Sequence, residues 1–345
     1  MQYNGTDTIE IRSRKNVAVR KNLLSGVLDN SNKKIIALLA ILTVACIVTF
    51  LFIDISPKSF AFSFPRRIRK LLGMVLTGGA ISFSSVAFQT ITNNRVLTPS
   101  VLGLDSLYTF IQTLIVFFLG STSFVAANKN INFLVSLVLM VAFSGILYRL
   151  MFKRDGQNVY FLLLIGMIFG TFFSSLSSFM QLLIDPNEFL IVQNKMFASF
   201  SNINTELLTI CMIVVALVIA LSINDIKSLD VISLGKDNAI NLGVDYHGMV
   251  KKYMLIVSVL VSVATALVGP ITFLGILVVN LAKELMKTFR HEYWFITAFL
   301  LSVIAMVGGQ LLVERVFSFN TSLSVIINFI GGSYFVYLLL KESKK

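Results

Sequence analysis

Little in this 345-residue chain is placed to make or break a covalent bond. Its two histidines, His247 and His291, stand apart from each other and from the cysteines, and a metal site needs three or four convergent donors. Cys46 and Cys211 lie inside apolar runs without metal-ligand spacing, so neither a zinc site nor a disulfide framework is indicated. No GxxxxGK[ST] occurs, which leaves no Walker A loop to cradle a nucleotide phosphate. No Ser/His/Asp set or carboxylate pair stands in a defined context. These residues predict a chain that is not an enzyme and binds no metal or other cofactor.

The chemistry that remains is that of contact. Gly166 and Gly170 form a GxxxG, and Thr171, Ser174, Ser175 and Ser178 follow at i, i+3, i+4 and i+7, which puts four hydroxyls on one helix face. Gly78, Ser82, Ser85 and Gln89 form a comparable stripe. Such faces serve close helix packing, or they line a wet path without strong ionic sites, which would let a large solute slide through. A third feature is cationic: Lys58, Arg66, Arg67, Arg69 and Lys70 crowd one short stretch.

The elements that must position these residues are membrane helices. With 56% hydrophobic and 13% charged residues and a mean hydropathy of +0.84, the chain cannot be wrapped in a polar surface. A span needs roughly 20 apolar residues. Ten candidates lie near 35–53, 68–91, 101–124, 132–152, 159–184, 205–224, 253–268, 271–289, 293–313 and 321–340. Gly269-Pro270 cuts the apolar run between 253 and 289 into two short pieces. Were it only a kink, the two ends of the chain would lie on opposite sides. With ten spans and a cytoplasmic N-terminus, 21 of the 29 Lys and Arg fall in cytoplasmic segments, so both termini are expected inside. The five-cation cluster is then the exception, lying outside at the mouth of the second helix. That distribution and attraction to anionic lipid account for the net charge of +12, so no nucleic-acid partner is expected.

Residues 1–34 are basic and polar without an apolar signal-peptide core, 35–340 form the transmembrane domain, and 341–345 a short tail. The outside stretch 185–204 is half apolar and fits a short interfacial helix. The inside stretch 225–252, punctuated by Gly235 and Gly243, reads as two short helices with glycine turns, a shape suited to a groove on another protein. Asp54, Asp105, Lys283, Glu284 and Glu314 all fall near span ends, which disfavours an ion-driven carrier. Asp105 is expected to satisfy the free amides at a helix start.

Three motifs give this topology a family resemblance. QTITNNRVLTPSVLG, Gln89 to Gly103, resembles a glutamine, four residues, then NPLADPGLLG, and retains Gln89, Asn94, Pro99, Leu102 and Gly103. SLGKDNAINLGVD, Ser233 to Asp245, is similar to LGEEEARSLGV and retains Leu234, Gly235, Ala239, Leu242 and Gly243. GPITFLGILVVNLAKEL, from Gly269, is similar to GPIGFVGLVVPHIARLL. These are motifs of the FecCD-type permeases, membrane subunits of binding-protein-dependent ABC importers for iron-siderophores, haem and cobalamin. The wording around Gln89 is closest to permeases for petrobactin-type and other catecholate siderophores of Gram-positive bacteria. Two departures stand out. Arg95 occupies a usual proline position, and Val279 or Asn280 replaces the proline and histidine of the third motif.

The resemblance implies an all-α polytopic protein with the BtuC-like fold of type II ABC importers, in a bacterial plasma membrane. It implies an iron-siderophore cargo, with haem or cobalamin as alternatives and an ion-coupled carrier as a more distant one. Its implied partners are two copies of an ATPase subunit that uses ATP and Mg, an extracytoplasmic binding lipoprotein, and a second permease, identical or related. RIRK aligns with the family's RLPR, placing Arg67 and Lys70 on its two arginines, so Arg66, Arg67, Arg69, Lys70 and Arg315 become candidates for docking the lipoprotein. Leu234, Gly235, Asp237, Ala239, Leu242 and Gly243 become the candidate contact to the ATPase. The two hydroxyl stripes, with Ser82, Ser85, Gln89, Thr171, Ser174, Ser175 and Ser178, become candidate pathway lining.

Overall fold

A computed structural model describes residues 30–53, 60–152, 159–200, 203–318 and 321–342, and every regular element among them is helical. Most of the basic N-terminal segment, together with Asp54, Lys58, Lys153, Arg154 and the last three residues of the tail, lies outside the described residues. Eight helices are long and apolar enough to cross a membrane. They are α1 (Asn30–Phe52), α2 (Phe60–Ile91), α5 (Lys129–Phe152), α6 (Val159–Leu183), α8 (Thr205–Ile223), α11 (Tyr246–Val268), α13 (His291–Arg315) and α14 (Leu323–Glu342). Two shorter ones complete the set of ten, α3 (Leu104–Leu119) and α12 (Leu274–Leu285). The small helices α4 (Phe124–Ala127), α7 (Pro186–Met196), α9 (Ile226–Ile232) and α10 (Lys236–Asn241) lie in the connections.

Burial sorts the spans. The most apolar stretch of α2 is 78% buried, whereas that of α1 is 17% buried. α2 packs chiefly on α11, α13 and α12, so it is the centre of the bundle. α1, α5, α6, α8 and α14 present mostly exposed faces, the surface that lipid or another subunit must cover.

Contacts between helix ends define two poles. At one, the mouth, α1 ends beside the start of α2 and the end of α13, as Arg67 and Arg315 both reach Ile53 O. At the other, α12 and α14 end together through the Lys341–Glu284 pair, and α9 and α10 lie there. The start of α1 and the end of α14 therefore share one pole.

Gly269-Pro270 is a true break. Gly269 ends α11 with φ of 100°, a left-handed value that favours glycine, and proline cannot extend the helix because it lacks an N–H. The chain runs without helix to Phe273 before α12 starts. At 12 residues α12 is about 18 Å long by the rise of 1.5 Å per residue, too short for a bilayer core of about 30 Å. The expected span over 271–289 is therefore a half-length helix. The inside stretch also needs correction: residues 246–252 are not loop but the first two turns of α11.

α3 starts deep in the bundle. α2 ends in a turn where Asn93 takes φ of 46° and Asn94 Oδ1 accepts from Val96 N. Pro99 then opens a 3-10 turn, Pro99–Leu102, and Gly103, at φ of 78°, joins it to α3. Gly103 lies against Gly166 and Gly170 of α6 so closely that a Cβ on Gly166 would stand 2.9 Å from Leu102 Cα and Val101 O. Those are backbone atoms and cannot turn aside. Gly166→Ala should accordingly lower stability by about 1–3 kcal/mol, the usual cost of overpacking, seen as a lower melting temperature in detergent. Gly145→Ala, in open space, is the reference. Equal melting of the two variants would show that the crossing tolerates a side chain.

Candidate functional site

The mouth cations divide into two groups. Arg67 Nη1 donates to Phe50 O, Leu51 O and Ile53 O at 2.9, 3.2 and 2.7 Å, satisfying the carbonyls that the end of α1 leaves free. Lys70 Nζ is 2.6 Å from Glu314 Oε1, with both side chains nearly buried, and Gln310 Nε2 donates to the same oxygen. Arg315 donates to Ile53 O at 3.4 Å. Arg66, Arg69 and Arg315 are exposed: Arg66 lies over the Phe62 ring, and Arg69 donates to Thr205 Oγ1 at 3.3 Å. With Lys70, Lys129 and Asn204, Arg66 and Arg69 line an open cavity of about 300 Å³. Nearby on α7, Lys195 Nζ is buried without a hydrogen-bond partner in the structure, and burial pushes its pKa down. A second mouth cavity, about 610 Å³, lies between α7, α13 and α14 and carries Asn194, Gln310, Thr321 and Ser322 among apolar residues.

The two hydroxyl stripes part company. Thr171, Ser174, Ser175 and Ser178 all lie on the exposed face of α6, while Ser177 is buried. Thr171 Oγ1 is bonded to Met167 O, and Ser174 Oγ donates to Ser106 Oγ of α3 at 3.0 Å. On α2, Ser82, Ser85 and Gln89 are buried within the chain's own core. Ser85 lies against Gly275 of α12, and Gln89 Oε1 accepts from Lys283 Nζ at 2.9 Å. In this conformation the α2 stripe packs against neighbouring helices, and Ser82 also lines an open cavity of about 420 Å³.

At the opposite pole α9 and α10 fold back through glycine turns, Gly235 at φ of 96° and Gly243 at φ of 82°. Ala239 is fully buried, whereas Leu234, Ile240 and Leu242 are exposed with Asp237 beside them. The root of this excursion is closed by the Lys252–Asp225 ion pair and by Tyr253 Oη donating to Ser222 O. It presents an apolar, unpartnered knob on a tied base.

Two polar clusters escaped the sequence. Asp105 does not serve the amides of α3. It is partly buried, with Thr265 Oγ1 and Thr272 Oγ1 donating to its carboxylate at 3.5 and 3.3 Å, so it fastens α3 to the end of α11 and the broken segment after it. Ser106, next to it, meets Ser174 near the middle of α6, which places this carboxylate well inside the bundle rather than at a span end. His291, which falls between two of the expected spans, is fully buried as the first residue of α13, with Nδ1 on Asp230 and Nε2 on Thr90. Separations of 61 and 201 residues left no local signal for either contact. Among the described residues no group of three or more His, Cys, Asp or Glu could hold a metal.

Residues 34–341 match the FecCD transport family. The chain is 58% identical over 313 residues to the petrobactin import system permease protein YclO of Bacillus subtilis (strain 168), covering 91% of this chain and 99% of that one. It is 38% identical to the petrobactin import system permease protein FatC of Bacillus anthracis, covering 84% and 82%. Among solved structures, one described as an inward-facing conformation of a metal-chelate type ABC transporter superposes with a TM-score of 0.78 at 21% identity, covering 90% of this chain and 99% of its own. That likeness speaks for the fold.

The exposed face of α6 can be assigned by chemistry. With Cys46 and Cys211 replaced by alanine, Ser174→Cys and Ser178→Cys in native membranes are expected to react with a water-soluble thiol reagent, while buried Ser177→Cys stays inert. Reaction of the first two only with lipid-soluble reagents would assign the face to lipid.

Proposed function

The chain belongs to the FecCD transport family, and on that premise we propose that it moves a ferric siderophore of the petrobactin type through the membrane as one of two permease subunits of an ABC importer. It is a transport subunit and not an enzyme; the ATP is hydrolysed by a partner. The observation that carries the cargo assignment is the near-full-length identity to the Bacillus subtilis permease. A catecholate chelate is bulky, and a path lined by hydroxyls, such as the face of Thr171, Ser174, Ser175 and Ser178, lets it pass without a trapping charge. That face is exposed on this chain, so the path is completed by a second permease, identical or related.

The mouth faces outward and receives the binding lipoprotein, and the pole bearing α9 and α10 faces the cytoplasm with both termini. Charge supports this orientation: cations outside the mouth concentrate at the other pole. Docking is carried foremost by Arg66, Arg69 and Arg315, whose charge is exposed, with Arg67 and Lys70 holding the surface that presents them. Exposed ion pairs contribute about 0–1 kcal/mol each and are screened by salt, so a single change weakens docking modestly. Proteoliposomes with ATPase and lipoprotein should import radiolabelled iron from ferric petrobactin and not from a ferric hydroxamate. Arg66→Glu with Arg69→Glu should weaken lipoprotein binding tenfold or more and flatten its salt dependence, whereas Arg67→Ala should show mainly as a lower melting temperature. Unchanged affinity in the double reversal would remove these residues from the docking surface.

The α9–α10 knob seats in a groove of the ATPase through Leu234, Asp237, Ile240 and Leu242. Gly243 has open space around its Cβ position and a left-handed φ, so a substitution there strains the backbone without a clash. Gly243→Val should import little iron while still inserting and binding lipoprotein, and Gly243→Asn, a residue that tolerates this conformation, should import near normally. Wild-type import by Gly243→Val would place the ATPase contact elsewhere.

A further inference from the structure

The knob must be fastened to the spans if a push on it is to reach the path. Its first helix, α9, contributes Asp230, whose Oδ1 accepts from the backbone N of His291 at 2.7 Å and from His291 Nδ1 at 2.6 Å. A carboxylate only accepts, so Nδ1 carries the proton of that bond. Asp230 thereby caps α13 from another element, at the end where free amides and the helix dipole favour negative charge. On the far side of the same ring, Nε2 lies 2.8 Å from Thr90 Oγ1 of α2, and Thr90 Oγ1 is also 2.9 Å from Val86 O. The imidazole is wholly buried, closed in by Trp294 at 4.6 Å and Phe295 at 6.4 Å between ring centres. One residue before Thr90, Gln89 accepts from Lys283 of α12, and Lys283 stands over the Trp294 ring at 5.3 Å.

α9, α13, α2 and α12 thus meet at one polar junction, and the wholly buried imidazole is the member bonded on both of its edges. We propose that Asp230, His291 and Thr90 form the link through which the α9–α10 knob moves α2 and α13, with His291 as the positioning residue. This rests on reading the knob as the ATPase contact. The ring is wholly buried, so a nitrogen that loses its partner is left desolvated. A displacement of α9 therefore either carries α13 and α2 with it or leaves buried polar groups unsatisfied.

Side-chain isosteres divide the link at its centre. The amide nitrogen of asparagine stands near the Nδ1 position and that of glutamine near Nε2, so His291→Asn keeps the Asp230 bond and His291→Gln keeps the Thr90 bond. Thr90→Val removes only the α2 hydroxyl at nearly constant volume and serves where a His291 variant does not fold. The full complex in proteoliposomes, with ATPase and lipoprotein loaded with ferric petrobactin, is read as iron imported per ATP hydrolysed. Each of the three variants is expected to lower that ratio at least fivefold, and His291→Gln combined with Asp230→Ala no further than either alone, since changes within one link are not additive. A brace that merely holds the fold would lower import and hydrolysis together and leave the ratio unchanged. An unchanged ratio in Thr90→Val and in those His291 variants that assemble overturns the proposal. Gly243→Val in the same assay separates the two readings. Normal import there removes the knob from the ATPase contact, whereas uncoupling there with an intact ratio in the three variants removes only the link.

Discussion

A polar group buried in a bundle surrounded by lipid is costly to leave unpaired, so a partner within the protein is worth more there than at a wet surface. The last turns of α2 are organised by that constraint. Gln89 takes Lys283 and Thr90 takes His291, which in turn holds Asp230. Nearby, Asn280 Nδ2 donates to Arg95 O, fixing the turn after α2 to α12. Through these contacts the most buried helix of the protein is keyed at one pole to α9, α12 and α13. Higher in the bundle Asp105 performs a similar service, binding the start of α3 to the unwound segment between α11 and α12.

The mouth obeys the same rule with a different outcome. A helix ending at a membrane surface leaves carbonyls to satisfy, and Arg67 spends its donors on three of them. Lys70 and Glu314 hold each other, joining α2 to α13. Charge that looks uniform along the chain is therefore divided by geometry into cations that hold the pole together, Arg67 and Lys70, and cations that remain exposed, Arg66, Arg69 and Arg315.

The sequence carried the number and order of the helices, the break at Gly269-Pro270 and the glycine-turned short helices, because each rests on a local property: apolar length, a missing N–H, or a φ that favours glycine. What it did not carry was neighbourhood. Two stripes at comparable helical spacing went to opposite places, that of α2 into the core and that of α6 to the surface, since periodicity names a face without naming what the face meets. Polar residues such as Tyr246, His247 and Lys251 concealed the first turns of α11, a helix that starts short of its apolar stretch. Asp105 and His291 looked peripheral for a related reason. Each stands at the start of a helix in sequence, but α3 starts deep and α13 starts beneath α9.

Helix α1 stands outside this web. Arg67 holds its end, and Leu39, Thr43 and Phe50 are buried, yet Leu38, Ile41, Val44, Val48 and Phe52 are exposed. Fluid hydrocarbon does not distinguish leucine from isoleucine, valine or phenylalanine by shape, only by whether they are apolar. Positions that face lipid are therefore constrained by hydrophobicity and span length alone. Where lipid covers it, α1 tolerates exchange among apolar side chains, while α2, packed against α11, α12 and α13, is held to shape as well.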